Sequence, residues 1–186
     1  MEKIKKLRRL FKTFNLDGYI IPKNNNFFGE YVTASEDNLK FISNFTGSAG
    51  FAVILKNKNY MFVDGRYNIQ AGIQCGKQFQ ICTIPKEYPF DIFGKKKLNL
   101  GFDPKLHTEN SLNSLFGKNF TKLKAVNENL IDLLWKREKN SNINFFYSVK
   151  NKDAGLTVEQ KLAMLVKKIK LNKVNYLFTT ASENIA

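Results

Sequence analysis

Three aspartates stand at the ends of segments with strand-forming composition, where carboxylates can assemble around metal ions. Asp17 precedes one such segment, whereas Asp64 and Asp103 each follow one. Three carboxylates brought together in this way can hold two magnesium ions, which activate water for phosphodiester hydrolysis. Each aspartate also has a local explanation, as part of an Asp-Gly turn, a helix cap and an Asp-Pro turn respectively. We favour these local explanations and expect no metal site.

Histidine and cysteine, the other common catalytic and metal-binding residues, are scarce in the chain. His107 is the only histidine, Thr108 follows it, and no histidine-containing metal spacing surrounds it. Cys75 falls on a predicted helix and Cys82 on the following strand, which favours free thiols in a reducing compartment over a disulfide. We therefore predict a cytoplasmic chain with no catalytic residues of its own.

Small residues cluster in the segment 44–50, which reads Asn-Phe-Thr-Gly-Ser-Ala-Gly and contains Gly47, Ser48 and Gly50. Similar glycine spacing occurs in loops that bind phosphate, but those loops lead into a helix whose first amides and dipole complete the site. Here the β-rich run 51–55 follows, so we reject a phosphate site. A polar spacer and a second β-rich run complete a predicted hairpin.

The hairpin is followed by Asp64-Gly65-Arg66-Tyr67, for which two interpretations stay open. Asp64 can cap a helix from Arg66 to about Cys75, because its carboxylate accepts hydrogen bonds from the first unpaired amides. Alternatively, Arg66 and Tyr67 face a partner domain and anchor it by bidentate hydrogen bonding or stacking. Asp64, Arg66 and Tyr67, with the three small residues above, are our candidates for substrate gating or domain contact.

The elements that must position these residues alternate between helices and strands. Helices are predicted at residues 2–14, 35–41, 66–75, 108–116 and 129–136, with Asn15 ending the first and Ser35 and Thr108 as N-caps. Strands are predicted at residues 19–22, 51–55, 60–63, 79–84, 98–102 and 122–126. This order predicts an α/β fold with a mixed β-sheet of about six strands flanked by helices.

Two segments rich in aromatic residues lie between these elements. The aromatic residues of Phe27-Phe28-Gly29-Glu30-Tyr31 either pin a loop to the core or form a recognition surface, and we favour the core. Tyr88-Pro89-Phe90 is expected to lie in a loop.

Composition places the chain among globular proteins, with 43% hydrophobic and 13% aromatic residues. The longest apolar run, 51–55, is far shorter than the ~20 residues of a membrane span. The net charge of +14 raises the alternative of a free-standing basic domain that binds nucleic acid or another acidic partner. Against it, the lysines are scattered, and the densest cluster, between Lys3 and Arg9, alternates with apolar residues at helical spacing, as on a solvated helix face.

Several motifs also occur in a distinctive order along the chain. They are Gly18-Tyr19-Ile20-Ile21-Pro22, Glu30-Tyr31, the segment 44–50, Asp64-Gly65-Arg66-Tyr67, Gly101-Phe102-Asp103-Pro104 with His107-Thr108, and Leu130-Ile131-Asp132-Leu133-Leu134-Trp135. Together they resemble the amino-terminal domain of the creatinase/prolidase family, nearest to its three-domain Xaa-Pro aminopeptidase group. Two departures are Asn38, where the family usually has Arg, and Ser43-Asn44-Phe45, where it usually has Ser-Gly-Phe.

The resemblance implies a six-stranded sheet flanked by helices, in a non-catalytic domain that shapes substrate access or subunit contacts. It implies that catalysis belongs to a carboxy-terminal domain in which two Asp, two Glu and one His hold two divalent ions, usually manganese. It implies peptides with a penultimate proline as substrates, the missing second and catalytic domains as partners, and a possible homodimer. A shortened relative that binds such peptides without cutting them is a further alternative.

The resemblance also guides the predicted division of the chain. We predict a first domain at residues 1–135, a polar linker at 136–155 with Phe145-Phe146-Tyr147 as an aromatic anchor, and the truncated start of a second, similar domain at 156–186. In the last segment, Thr157 and Gln160 form a capping box before a helix whose apolar face contains Leu162, Leu165, Val166 and Ile169. Tyr176 to Phe178 then match the first strand at Tyr19 to Ile21 in a weak repeat, and Ser182 to Ala186 would open the rest of that domain.

Overall fold

The first helix forms because its apolar side chains recur every three or four residues and face the sheet together. The computed structural model describes residues 2–29, 31–118, 120–137, 147–181 and 184. Helix α1 spans Glu2–Thr13 and buries Ile4, Leu7 and Phe11. Asn15 then adopts a positive φ of 51°, the left-handed conformation predicted for it.

Six strands form one mixed sheet. They are β1 (Gly18–Pro22), β2 (Phe51–Leu55), β3 (Asn59–Asp64), β4 (Gln80–Ile84), β5 (Asn99–Phe102) and β6 (Lys122–Ala125). Their spatial order is β4-β3-β2-β1-β5-β6. Strands β1, β2 and β3 pair antiparallel, whereas β4, β5 and β6 each pair parallel to their neighbour. The predicted α/β fold with a mixed six-stranded sheet is confirmed.

Helices cover both faces of this sheet. The further helices are α2 (Asn38–Ser43), α3 (Asn68–Cys75), α4 (Pro89–Phe93) and α5 (Glu109–Phe116), with short 3₁₀ turns at Gly65–Tyr67, Gly76–Gln78 and Pro104–Leu106. Side chains alternate along β1: Tyr19 and Ile21 join the core under α1, α2 and α3, whereas Ile20 joins the core under α4 and α5. Fully burying each such side chain contributes about 1.5–3 kcal/mol. Cys75 and Cys82 are buried, free thiols, one in each core cluster.

The predicted cap of the second helix is wrong. Asp37, rather than Ser35, is the N-cap of α2, and its Oδ1 accepts a hydrogen bond from the Lys40 amide at 2.9 Å. The other carboxylate oxygen of Asp37 forms a nearly buried ion pair with Lys23. Aspartate and serine are both common N-caps, and Asp37 has the additional ion pair with Lys23.

Two further predictions of local structure are wrong. The predicted loop at Tyr88-Pro89-Phe90 is the start of α4, because proline suits the first helical turn and the Asp91 carboxylate accepts the Tyr88 amide at 3.0 Å. The predicted helix at 129–136 is a series of turns, in which the Asn129 side chain accepts the Ile131 amide at 2.9 Å.

The basic face of α1 is largely solvated, as predicted, with Lys3, Lys5, Lys6 and Arg9 exposed. Arg8 is half-buried and donates hydrogen bonds to the Leu55 carbonyl at 2.7 Å and to Asn59 Oδ1 at 2.8 Å. Lys3 donates to the Phe41 carbonyl at 2.9 Å, and Lys6 pairs with Glu2. Arg8 and Lys3 thus also join the helix to β2, β3 and α2.

The chain divides into two units, Met1–Glu138 and Lys139–Ala186. In the second unit, α6 spans Asn151–Ala154 and α7 spans Val158–Leu171. Thr157 and Gln160 form the predicted capping box, with hydrogen bonds of 2.9 and 3.3 Å.

The apolar face predicted for α7 is exposed or half-buried, with its members Leu162, Leu165, Val166 and Ile169. The predicted strand at Tyr176 to Phe178 is not formed, because a strand needs a hydrogen-bonded neighbour. Phe145, Phe146 and most of the segment from Ser182 to Ala186 lie outside the described residues, and the predicted domain boundaries stay a prediction.

Among the described residues, no helix combines the length and the hydropathy that crossing a bilayer requires.

His107 gives the first unit a pH-dependent stability. Its ring lies edge-on to Phe102 with centroids 5.8 Å apart, and its buried Nε2 has no hydrogen-bond partner among the described residues. Burial lowers the pKa of His107 from 6.5 to about 4. Between these two pH values the unfolded chain binds a proton that the folded chain does not, so stability falls as the pH is lowered below 6.5.

We predict that lowering the pH from 7 to about 5.5 costs about 1 kcal/mol of unfolding free energy through His107. Substituting His107→Gln or His107→Phe should remove this part of the pH dependence, as measured by urea unfolding at both pH values. The chain has no other histidine. If a His107 variant loses as much unfolding free energy between pH 7 and about 5.5 as the wild type does, the assignment of this loss to His107 is contradicted.

Candidate functional site

The two motifs singled out in the sequence meet at one corner of the sheet. Strands β2 and β3 are antiparallel neighbours in which Phe51 pairs with Phe62, so the segment before β2 lies beside the segment after β3. The Ser48 hydroxyl is consequently 2.7 Å from the Tyr67 hydroxyl. This hydrogen bond lowers the pKa of Tyr67.

Asp64 and Arg66 are joined by hydrogen bonds and an ion pair at this corner. The Asp64 carboxylate accepts the Arg66 amide at 2.9 Å, and its Oδ2 lies 2.7 Å from Arg66 Nη2. The side-chain hydrogen bond from Arg66 is the largest cause that lowers the pKa of Asp64. The predicted cap is therefore present, on the 3₁₀ turn that leads into α3. The Arg66 guanidinium also lies over the Tyr67 ring, 5.3 Å from its centroid.

Close backbone contacts explain two of the glycines. A Cβ on Gly47 would lie 2.2 Å from Cζ of Phe45, whose ring is fully buried and meets Tyr67 edge-on. Gly50 has a φ of +149°, and a Cβ there would lie 2.9 Å from the Phe62 carbonyl oxygen. The glycines thus let the loop 44–50 lie flat against the hairpin and the Phe45 ring.

A polar network that sequence reasoning missed joins this loop to α3. The Thr46 amide donates to Gln74 Oε1 at 2.9 Å, and the Thr46 hydroxyl accepts from Gln70 and Gln74 at 2.9 and 2.8 Å. The available signal was the spacing of two glutamines four residues apart, which places them on one helix face.

The corner also exposes an apolar pair. Ile69 and Ile73, again four residues apart on α3, are 81% and 77% exposed. Next to the exposed Arg66 side chain, they form a surface suited to contact with another protein surface. Whether Arg66 and Tyr67 contact a partner domain stays a prediction.

The three aspartates considered as metal ligands are engaged separately. Asp17 pairs with Lys56, Asp64 caps its own turn, and Asp103 accepts hydrogen bonds from the Lys105 amide and the Asn129 side chain. Within the described ranges, no group of three or more His, Cys, Asp or Glu residues is arranged to hold a metal ion. The geometry thus favours their local roles.

The predicted burial of the aromatic loop is wrong. Phe27 and Tyr31 are 80% and 85% exposed, and Phe28 is 46% exposed. Glu30 lies outside the described residues. Local composition could not decide this point, because aromatic residues serve both cores and recognition surfaces.

We predict opposite effects of alanine at two glycines of this region. Gly47→Ala should lower the unfolding free energy by about 1–3 kcal/mol, because the new methyl overlaps the buried Phe45 ring. Gly72→Ala is the matched control: it lies on α3 with nothing within 4 Å of its added Cβ, and should stabilise by about 0.5–1 kcal/mol. Chemical unfolding measures the change in unfolding free energy of both variants. Equal changes would contradict the proposed overlap of the new methyl with the Phe45 ring.

The Ser48–Tyr67 hydrogen bond has a spectroscopic test. Ser48→Ala should raise the pKa of Tyr67 towards the usual tyrosine value of about 10, as followed by NMR of the tyrosine ring carbons with Tyr67→Phe for assignment. Ser114→Ala, which removes a hydroxyl bound to the Ser111 carbonyl, should leave the titration unchanged. If the pKa of Tyr67 in Ser48→Ala equals its value in the wild type, the hydrogen bond between Ser48 and Tyr67 is absent in solution.

Comparison with known proteins agrees with this architecture. The chain is 33% identical to the probable Xaa-Pro aminopeptidase P of Penicillium rubens over 92% of its length, and 29% identical to that of Laccaria bicolor over its whole length. It spans about 30% of the length of each relative.

Solved structures show the same fold. The X-prolyl aminopeptidase of Caenorhabditis elegans, described as a cytosolic enzyme with a di-nuclear active site, matches 92% of the chain with 25% identity and a TM-score of 0.73, over 31% of that enzyme. The N-terminal domain of the cytoplasmic peptidase PepQ of Mycobacterium tuberculosis matches 72% of the chain with a TM-score of 0.57, over 98% of that domain. A family model, the Creatinase/Prolidase N-terminal domain, matches residues 3–130, and the chain therefore belongs to this family.

Proposed function

We propose that this chain is the non-catalytic amino-terminal part of an Xaa-Pro aminopeptidase-like metallopeptidase, in which it shapes substrate access or subunit contacts. The observation that carries the proposal is the extent of the match: relatives named as Xaa-Pro aminopeptidases align with the whole chain but over about 30% of their own length. The whole enzyme would release the amino-terminal residue before a penultimate proline, in the cytoplasm.

The chemistry of such an enzyme would reside outside this chain. Two divalent ions, of which manganese is our expectation, would polarise the scissile carbonyl and supply hydroxide at neutral pH. The described residues do not fit such a pair of ions, because their carboxylates and the single histidine form no ligand cluster. The proposal therefore assigns this chain no catalytic step.

The role assigned to this chain rests on the corner around Ser48 and Tyr67. Its loop is held by the close approach of Gly47 to the Phe45 ring and of Gly50 to the Phe62 carbonyl, and by the Thr46 network, so its exposed groups are pre-positioned for a partner surface. The exposed Arg66, Ile69 and Ile73 provide charge and apolar area for contact with a neighbouring domain or a second subunit.

A domain exchange tests the proposal. Residues 2–137 would replace the matching segment of the Penicillium rubens relative, and release of the first residue from an Xaa-Pro peptide would be measured with manganese. We expect the exchanged enzyme to retain activity, and the double substitution Ile69→Ser with Ile73→Ser to reduce kcat/KM by about tenfold or more through lost contacts. The matched control, Phe120→Ser, removes an exposed apolar side chain from the opposite edge of the sheet and should have no effect.

Two outcomes would contradict the proposal. One is a folded but inactive exchanged enzyme when the unmodified relative is active in the same assay. The other is manganese-stimulated peptide cleavage by the present chain alone, which would mean that it carries catalytic residues of its own.

A further inference from the structure

A cavity of about 430 Å³ lies between the first turn of α1, the end of α2 and the end of α3. Its floor is apolar, because the lining residues Ile4, Ile42 and Phe79 belong to the buried core. The half-buried Phe41 and Leu134 form part of its wall. The volume lies within the usual range of small-molecule sites, about 300–1,000 Å³.

The buried polar groups that line this cavity already have partners inside the protein. The Ser43 hydroxyl donates to the Leu39 carbonyl and accepts the Phe45 amide. The Cys75 thiol, which also lines the cavity, is hydrogen-bonded to Ser43. Because these groups need no further partner, the inner end of the cavity suits an apolar group better than a polar one.

The charged groups of the cavity lie at its mouth, on the exposed face of α1. Lys6 pairs with Glu2 at 2.9 Å. Lys3 Nζ donates to the Phe41 carbonyl at 2.9 Å and lies 4.4 Å from the centroid of the Phe41 ring, but no carboxylate of the described residues pairs with it. Since an ammonium group has three donors, Lys3 keeps its charge and two donors for an anionic partner.

We propose that this cavity binds a medium-chain aliphatic carboxylate. The carboxylate would pair with Lys3 at the mouth, and the alkyl chain would lie against Ile42, Phe79 and Leu134. The net charge of +14 would attract such an anion over longer distances. Neither Ser48 nor Tyr67 lines the cavity, so this inference is independent of the proposed function.

Two other classes of ligand match the cavity less well. A small inorganic anion would pair with Lys3 but leave the apolar floor in contact with water, and a neutral apolar compound would leave the Lys3 ammonium without an anionic partner. A carboxylate with an alkyl chain satisfies both parts of the cavity, because burial of the chain and a charge-assisted hydrogen bond each contribute to binding.

Trp135 offers a direct signal of binding. It is the only tryptophan of the chain, and its ring stacks on Phe41 with centroids 4.6 Å apart and an interplanar angle of 9°. Because the other face of this pair belongs to the cavity wall, a ligand that contacts Phe41 should change the fluorescence of Trp135.

The test titrates octanoate into the whole chain at pH 7 and follows Trp135 fluorescence, with calorimetry as the second measurement. Lys3→Met should weaken binding about tenfold, because the carboxylate loses a charge-assisted hydrogen bond. Lys5→Met is the matched control: it removes the same charge from an exposed lysine of α1 that does not line the cavity. Its affinity for octanoate should stay within about twofold of wild type, as expected for a residue without contact to the ligand.

Related ligands separate the charge from the alkyl chain. Octylamine, which has the same chain and the opposite charge, should bind at least about tenfold more weakly than octanoate. Hexanoate should also bind about tenfold more weakly, because two fewer CH₂ groups leave water.

Four results would overturn the inference. They are no saturable binding of octanoate by the folded wild-type chain, equal affinity for octylamine, equal affinity for hexanoate, and equal weakening by Lys3→Met and Lys5→Met. Binding of several octanoate molecules per chain without dependence on Lys3 would also overturn it, because it would indicate adsorption to exposed apolar surface such as that of α7.

Discussion

The register between β2 and β3 determines where the functional candidates of this chain lie. Phe51 pairs with Phe62, and their rings stack with centroids 4.8 Å apart. Because both faces of these strands are buried, a slip of one residue would exchange side chains of different size and shape between the two core clusters, and close packing opposes such an exchange. The observed register is therefore favoured over a slipped one. In this register, the Ser48 hydroxyl lies beside the Tyr67 hydroxyl. The corner is thus a consequence of hairpin pairing rather than of local loop preference.

Sequence reasoning succeeded where the determinants are local. The hairpin, the left-handed Asn15 and the caps at Asp64, Thr108 and Thr157 each depend on residues within a few positions of one another, and such patterns can be read directly. The mixed sheet followed from the order of these elements. For the candidate site, the motif residues and the cap were predictable, whereas the link from Thr46 to Gln74 across the fold was not.

At two of the positions where the prediction was wrong, residues distant in the sequence contribute to the observed structure. Asp37, the cap of α2, is also paired with Lys23, and removing one partner of such a nearly buried pair costs about 3–5 kcal/mol. Helix α4 begins with local signals, but Phe93 near its end also enters a core built from β3 and α5, where it meets Tyr60 and Phe116. No window of the sequence contains these partners, so propensity alone could not choose the right structure.

Helix α2 connects the ion pair of Asp37 with Lys23 to the loop that forms the corner. Its first residue follows the Asp37 cap, and its last leads into the loop 44–50. The far end is fixed as firmly as the near one: the Ser43 hydroxyl donates to the Leu39 carbonyl at 2.6 Å and accepts the Phe45 amide at 3.1 Å. Six helical residues span only about 9 Å, and Leu39 and Ile42 anchor them in the core. The loop 44–50, and with it the corner around Ser48 and Tyr67, therefore starts from a helix that is anchored in the core.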